Sequence, residues 1–324
     1  MPKPAARWLP LRCTESGVLG YRVPVDVQIN PAEPQPMRPS TPGKTMFRKD
    51  LLAAKRILIT GGGTGLGAVM AERFAGLGAR LVLCGRRLEM LEATAERLRG
   101  LGAVDVEVHS CDIRDAAQVD AMLTQVWASG PIDVLVNNAA ATFIAQTESL
   151  SARAVDAVLA TTLHGAVYCT LGVGQRWIAA ARPGVVLSIL STSVRTGRAF
   201  TVPSAMAKSG LQAMTRSLAV EWGQHGIRLL AIAPGSFPTP GASQQLMPAQ
   251  RASAVTPGAK VPLGRVGQPA ELANLAAYLV ADEAGYISGE TVAIDGAAHL
   301  RTSGAEDLLA WSAADWQAHR GRRG

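Results

Sequence analysis

Seven short apolar runs, rich in β-branched residues, punctuate this 324-residue chain. They read RILIT from Arg56, RLVLC from Arg80, VEVHSC from Val106, IDVLVN from Ile132, GVVLSIL from Gly184, IRLLAIA from Ile227 and TVAID from Thr291. All are too short for a buried helix, and all but VEVHSC are apolar on consecutive positions, as a strand covered on both faces must be. The stretches between them carry a helical period, which suits right-handed crossovers joining parallel strands. The pattern predicts an α/β fold: a single Rossmann-type, doubly wound parallel sheet of about seven strands with helices on both faces.

The residues before this alternation have a different composition. Nine of the 19 prolines fall within residues 1–45, in a stretch that includes NPAEPQPMRPSTPGK and holds no period for long. Such a segment cannot bury enough apolar surface to order itself and reads as a disordered extension. An organelle-targeting presequence is the alternative, since acids are scarce and arginines present, but the expected Ser-rich amphipathic helix is missing. The folded domain is expected over residues 46–300. Residues 301–324 form a charged amphipathic tail with Trp311 and Trp316, suited to packing on the core or on a neighbouring subunit.

Composition narrows the partners. The formal charge is +7 and the isoelectric point about 9.6, which favours anionic ligands, yet the basic residues are dispersed apart from HRGRRG at the C-terminus. Neither zinc-finger spacing nor an RNA-binding aromatic signature is present, so nucleic acid is not expected. Cys13, Cys84, Cys111 and Cys169 are scattered singly, with no metal-ligand spacing, and read as reduced thiols of a cytoplasmic protein. No uninterrupted apolar run reaches the ~18 residues that crossing a bilayer requires, so no membrane association is expected.

Directly after the first run comes TGGGTGLG, Thr60 to Gly67, and then a helical pattern. Gly61, Gly65 and Gly67 permit a tight turn and close backbone approach to a pyrophosphate, while the helix start offers unpaired N–H groups and a positive dipole end. A glycine pattern alone says little; placed between strand and helix it predicts nucleotide binding. The second run ends at CGRR, where an NAD-binding chain usually carries an acid for the ribose 2′-hydroxyl. Arg86 and Arg87 stand there instead and suit a 2′-phosphate, so NADP(H) is the expected cofactor, with solvated arginines opening a helix as the alternative.

With these motifs in place, the chain resembles the short-chain dehydrogenase/reductase family from Met46 to Ala298. The likeness rests on TGGGTGLG, on CDIRD at Asp112, on NNAA at Asn137–Ala140, on APG at Ala233–Gly235 and on ISGETVAIDG. It implies that Thr60, Gly61, Gly63, Thr64, Gly65, Leu66, Gly67, Asp112, Ile113, Asn138, Ala139, Pro234 and Gly235 line the cofactor, with Asp112 at the adenine. Within the family the chain is most similar to 2,4-dienoyl-CoA reductases and their bacterial homologues, through NNAAATFI, VPSAMAK, SLAVEWGQHGIRLLAIAPG and LGRVGQPAELANLAAYL. That likeness implies an acyl-CoA or another conjugated carbonyl compound as substrate, and a homotetramer or homodimer.

The likeness also exposes a departure. Most of the family carries Tyr four residues before the active-site lysine; here Ser204 precedes Lys208, as is usual in the dienoyl-CoA branch. That branch carries its tyrosine at the position of Ser193, so this chain lacks both. Lys208 is expected to hold the nicotinamide ribose, with a surface lysine on an amphipathic helix as the alternative. Ser191 and Ser193 follow the fifth strand, at the carboxyl edge where such sheets bind ligands.

Serine is a poor acid, so protonating an alkoxide would need help from elsewhere. Dienoyl reduction asks for something else: hydride reaches the far end of the conjugated system, charge gathers on the thioester oxygen, and hydrogen-bond donors suffice to hold it. The family's helix asparagine falls at Thr162, and that of the dienoyl-CoA branch at His164. His164 and Ser193 are therefore the expected oxyanion pair, with Tyr168 a weaker one; a lone helix histidine is otherwise structural. Residues 236–260, rich in Pro, Gly, Ala and Gln, fall where the family carries a substrate lid, and Arg251 and Lys260 suit CoA phosphates; an inert surface excursion is the alternative. An ordinary 3-oxoacyl or alcohol dehydrogenase, or a silent NADP(H)-binding protein, remain the competing readings.

Overall fold

All seven runs are strands, each starting within two residues of the expected position: β1 Arg56–Thr60, β2 Arg80–Gly85, β3 Val106–Ser110, β4 Val134–Asn137, β5 Gly184–Ile189, β6 Ile227–Pro234 and β7 Thr291–Ile294. The computed structural model describes residues 47–53, 55–103, 105–239, 258–301, 308 and 310–321. The strands form one parallel sheet in the order β3-β2-β1-β4-β5-β6-β7. The order reverses between β1 and β4, which opens a crevice at their carboxyl ends.

Alternate residues of one strand feed opposite faces. Ile57 and Ile59 of β1 join Met70 and Phe74 of α1 (Gly65–Ala75), Leu91 and Leu98 of α2 (Leu88–Gly100), and Leu272 and Ala276 further along the chain. Leu58 between them joins Val119 and Leu123 of α3 (Ala116–Ala128) on the other face. Both faces are thus buried, and the continuous apolar strands required that. Arg56 breaks the pattern at the base of β1: although 2% exposed, it donates to Val126 O at 2.8 Å and to Gly130 O, and pairs with Glu107 at 2.6 Å.

The fourth crossover is one continuous helical run with an interruption. α4 (Ala152–Leu159) passes through a π-turn, Ala160–His164, into α5 (Gly165–Ala179). This 28-residue run is long and apolar enough to cross a membrane by length and composition, although Thr, Gly and Gln interrupt its apolar stretches. Cys169, Val173 and Trp177 pack on the sheet, as in a core helix.

After β5 follow the one-turn α6 (Ser193–Thr196) and α7 (Val202–Glu221), whose early Pro203 occupies a position where no backbone N–H is needed. α8 (Pro269–Val280) opens with a capping box between Gln268 and Glu271. These elements belong to a unit spanning residues 44–309. The described part of the other unit is residues 310–321, with α9 (Ala313–Gly321) and the Trp311 and Trp316 rings 4.8 Å apart. The expected disordered extension, and residues 240–257 of the expected lid with Arg251, lie outside the described residues.

Candidate active site

The turn after β1 is shaped by absent side chains. Gly61 and Gly65 have φ of +68° and +56°, a left-handed region that glycine enters without penalty. A Cβ on Gly67 would lie 2.3 Å from Gly61 O, and one on Gly63 3.1 Å from the Met90 backbone. Thr64 starts α1 without a side-chain cap, and the first turn holds no acid. The amides around Gly65, Leu66 and Gly67 are therefore left for an anion.

Thr60 ties this turn to β4. Its Oγ1 accepts from Asn138 N at 3.0 Å and Ala139 N at 3.1 Å, while Asn138 Nδ2 donates back to Thr60 O at 3.0 Å. These bonds close the switch-point crevice along one wall. Arg86 and Arg87 are exposed just past β2. Asp112, after β3, has both carboxylate oxygens engaged by Arg114, which with Arg86 holds its carboxyl below the usual range. No carboxylate lies between the end of β2 and the start of α2, where the two arginines stand; Glu89 follows in the first turn of α2. Ile113 is buried and packs on Gly165. Pro234 O accepts from Thr192 N at 3.1 Å, and Gly235 N donates to Ile294 O at 2.9 Å, so the APG segment is held by both neighbours.

The polar wall comes from two elements. β5 continues its pairing beyond its end, with Leu190 N donating to Ile232 O at 2.7 Å, then delivers Ser191 and Ser193. α7 delivers Ser204 and, one turn on, Lys208. Leu190, Leu211, Ala166 and Ala231 form an apolar cluster with Leu163 and Val194, which fixes α5, α6 and α7 relative to one another. Lys208 is 6% exposed, donates to Ile189 O, and has no carboxylate partner among the described residues. Burial pulls its ammonium from 10.5 down to about 8. Ser193 is buried, and its N–H donates to Ser191 Oγ at 3.2 Å; Ser204 is half-buried.

His164 ends the π-turn, exposed, with its ring centroid 6.3 Å from that of Tyr168. No hydrogen bond joins it to Ser193 or Lys208 among the described residues. Tyr168 packs against the core on the α3 side of the sheet. Lys260 is exposed.

Several supports were invisible in the pattern of residues. Thr162 is buried, donating to Ala141 O at 3.2 Å and accepting from Ala141 N at 3.0 Å, so a hydroxyl braces the loop after β4. The π-turn is a strained feature that often marks functional sites; Thr161, Thr162 and His164 all lie in it. Phe200 has φ +63°, unusual for a bulky residue, and its carbonyl accepts from Ala145 N at 3.0 Å. That bond joins the loops on either side of the site. A cleft of about 430 Å³, lined by Asp133, Gly184 and Ile227, lies at the opposite, amino-terminal edge and shares no residue with this wall.

The family profile described as Enoyl-(Acyl carrier protein) reductase matches residues 61–299. A Bacillus subtilis (strain 168) protein named "Probable 2,4-dienoyl-CoA reductase, (2E)-enoyl-CoA-producing" is 40% identical over 244 residues, covering 75% of this chain and 95% of that one. A Caenorhabditis elegans protein named "Probable 2,4-dienoyl-CoA reductase 3, (3E)-enoyl-CoA-producing" is 37% identical, covering 78% and 82%. Among solved structures, a short chain dehydrogenase from Bacillus anthracis superposes with a TM-score of 0.69 at 38% identity, over 76% of this chain and 98% of that one. A gluconate 5-dehydrogenase from Burkholderia cenocepacia, in complex with NADP and tartrate, gives 0.73 at 28% identity over 78% and 99%. With a glycine turn at the switch point, a buried lysine one turn after Ser204 and relatives matched over most of their length, the chain belongs to the short-chain dehydrogenase/reductase family of oxidoreductases.

Proposed function

We propose that this oxidoreductase uses NADP(H) to reduce a conjugated acyl thioester of the 2,4-dienoyl-CoA kind. The observation that carries this reading is the wall of Ser191, Ser193, Ser204 and buried Lys208, which offers hydrogen-bond donors and no tyrosine acid. Bound nicotinamide supplies the hydride. Lys208, reaching the end of β5, orients the ribose and adds positive charge beside the reacting carbonyl. Ser193, with His164 from the π-turn, donates to the thioester oxygen as charge accumulates there, and the final proton is taken at carbon. Donors already aimed at that oxygen need not reorganise during the reaction. Arg86 and Arg87, with Asp112 already satisfied by Arg114, favour the 2′-phosphate of NADP(H) over a bare ribose.

The test compares loss of NADPH absorbance with 2,4-dienoyl-CoA, 2-enoyl-CoA and 3-oxoacyl-CoA. Turnover of the dienoyl ester alone is expected, and His164→Ala should slow it on the order of a hundredfold. Turnover of 3-oxoacyl-CoA alone would overturn the substrate. The missing tyrosine favours one second reading, a silent NADP(H)-binding protein; tight NADPH binding with no turnover on any ester would establish it. A cytoplasmic homodimer or homotetramer completes the proposal. Exposed Leu171 and Val220 on α5 and α7 support association.

A further inference from the structure

The segment carrying Ser193 is tied to the far edge of the sheet by a chain of side chains that the catalytic reading does not use. β7 is an edge strand. Its Glu290 and Ile294 carbonyls turn inward, accepting from Ala231 N and Gly235 N, so by the alternation of a strand the Thr291 carbonyl turns outward, where the ladder offers no donor. Arg195 of α6 reaches across and fills that role, with Nη2 donating to Thr291 O at 2.9 Å. Its Nη1 lies 3.3 Å from His299 Nε2, and His299 Nδ1 lies 2.7 Å from Asp295 Oδ2. The Asp295 carboxylate also accepts from Ala297 N at 3.0 Å and His299 N at 2.8 Å. The side chains of Asp295 and His299 are 3% and 10% exposed.

One set of hydrogen-bond roles satisfies every group along this chain. A guanidinium has donors only and a carboxylate acceptors only. Both contacts are made together when His299 accepts at Nε2 and donates from Nδ1. Asp295 orients the ring, the ring orients Arg195, and Arg195 sits two residues after Ser193 in a helix of a single turn, too short to hold its own geometry.

We propose that Asp295, His299 and Arg195 are positioning residues that hold the Ser191–Ser193 wall in register with Lys208. The proposal rests on the reading of that wall as the reduction site, so its test includes a readout that needs no substrate. Hydrogen exchange of a peptide spanning residues 190–198 is expected to speed up about tenfold or more in His299→Ala and in Arg195→Ala, while peptides from β1 and β4 stay unchanged. His299→Gln retains an acceptor within reach of Arg195 and should restore most of the protection. The Arg195→Ala, His299→Ala double variant should exchange no faster than either single variant, because one chain is broken once. With any ester the enzyme reduces, kcat should fall about tenfold or more while the KM for NADPH holds.

Unchanged exchange at 190–198 in both single variants, or additive effects in the double variant, would overturn the proposal whatever the substrate. Faster exchange throughout the sheet, unrescued by His299→Gln, would also overturn it, since the chain would then serve general stability alone.

Discussion

Lys208 carries its consequences in its own titration. Its folded pKa of about 8 lies below the ordinary 10.5 because burial disfavours the ammonium. Burying the charged form therefore costs stability at every pH below about 8. That cost fades as pH rises toward about 10.5, where the unfolded chain also gives up its proton. Lys208→Met should stabilise the cofactor-free protein by roughly 1–3 kcal/mol near pH 7, after allowing for the lost bond to Ile189 O, and by almost nothing near pH 10; urea denaturation at the two values checks this. Arg86 and Arg87 make a complementary case, because they are exposed and are proposed to act on a ligand. Removing both by Arg86→Ala and Arg87→Ala should weaken NADPH binding by about 10- to 100-fold and NADH binding far less, as measured by calorimetry. The places of both arginines after a strand and of the lysine early in a helix were legible in the sequence. The Arg114 clamp on Asp112 was not, since spacing of two residues in a loop does not say whether the side chains meet.

At the scale of elements, the phosphate turn and the fourth crossover behave differently. The turn depends on local rules: positive φ at Gly61 and Gly65 and close approach at Gly67 are conditions that only glycine meets, so the sequence alone announced them. Gly67→Ala would drive a Cβ against Gly61 O and push α1 off the turn. A stability loss of about 1–3 kcal/mol with at least a tenfold weaker NADPH complex is expected, read by thermal shift with and without cofactor. The crossover depends on its neighbours. Its residues read as one helix, and so they are, but the π-turn at Ala160–His164 arises where Thr162 must reach Ala141 while Leu163 and Ala166 meet α7. No period in the sequence encodes that competition.

For the molecule as a whole, the polar anchors between layers set how the sheet is held at its two ends. Arg56 secures the amino-terminal edge by joining β1 to β3 and to the end of α3. Arg56→Met keeps the volume but leaves Val126 O, Gly130 O and Glu107 without their donor; a loss of about 3 kcal/mol and several degrees in Tm is expected by calorimetry. At the carboxyl edge, the corresponding links run from Thr60 to β4 and from Arg195 to β7. The amino-acid sequence by itself determined the strands, their burial on both faces, the glycine turn and the lysine helix, because each depends on neighbours within a few residues and on the alternation of apolar side chains. Only the tertiary structure decided which polar groups meet: Thr162 with Ala141, Arg114 with Asp112, and Arg195 with His299 across 104 positions. Hydrogen bonds are directional and reach about 3 Å, so their partners are chosen by the final placement of whole elements, which the packing of the two buried faces sets.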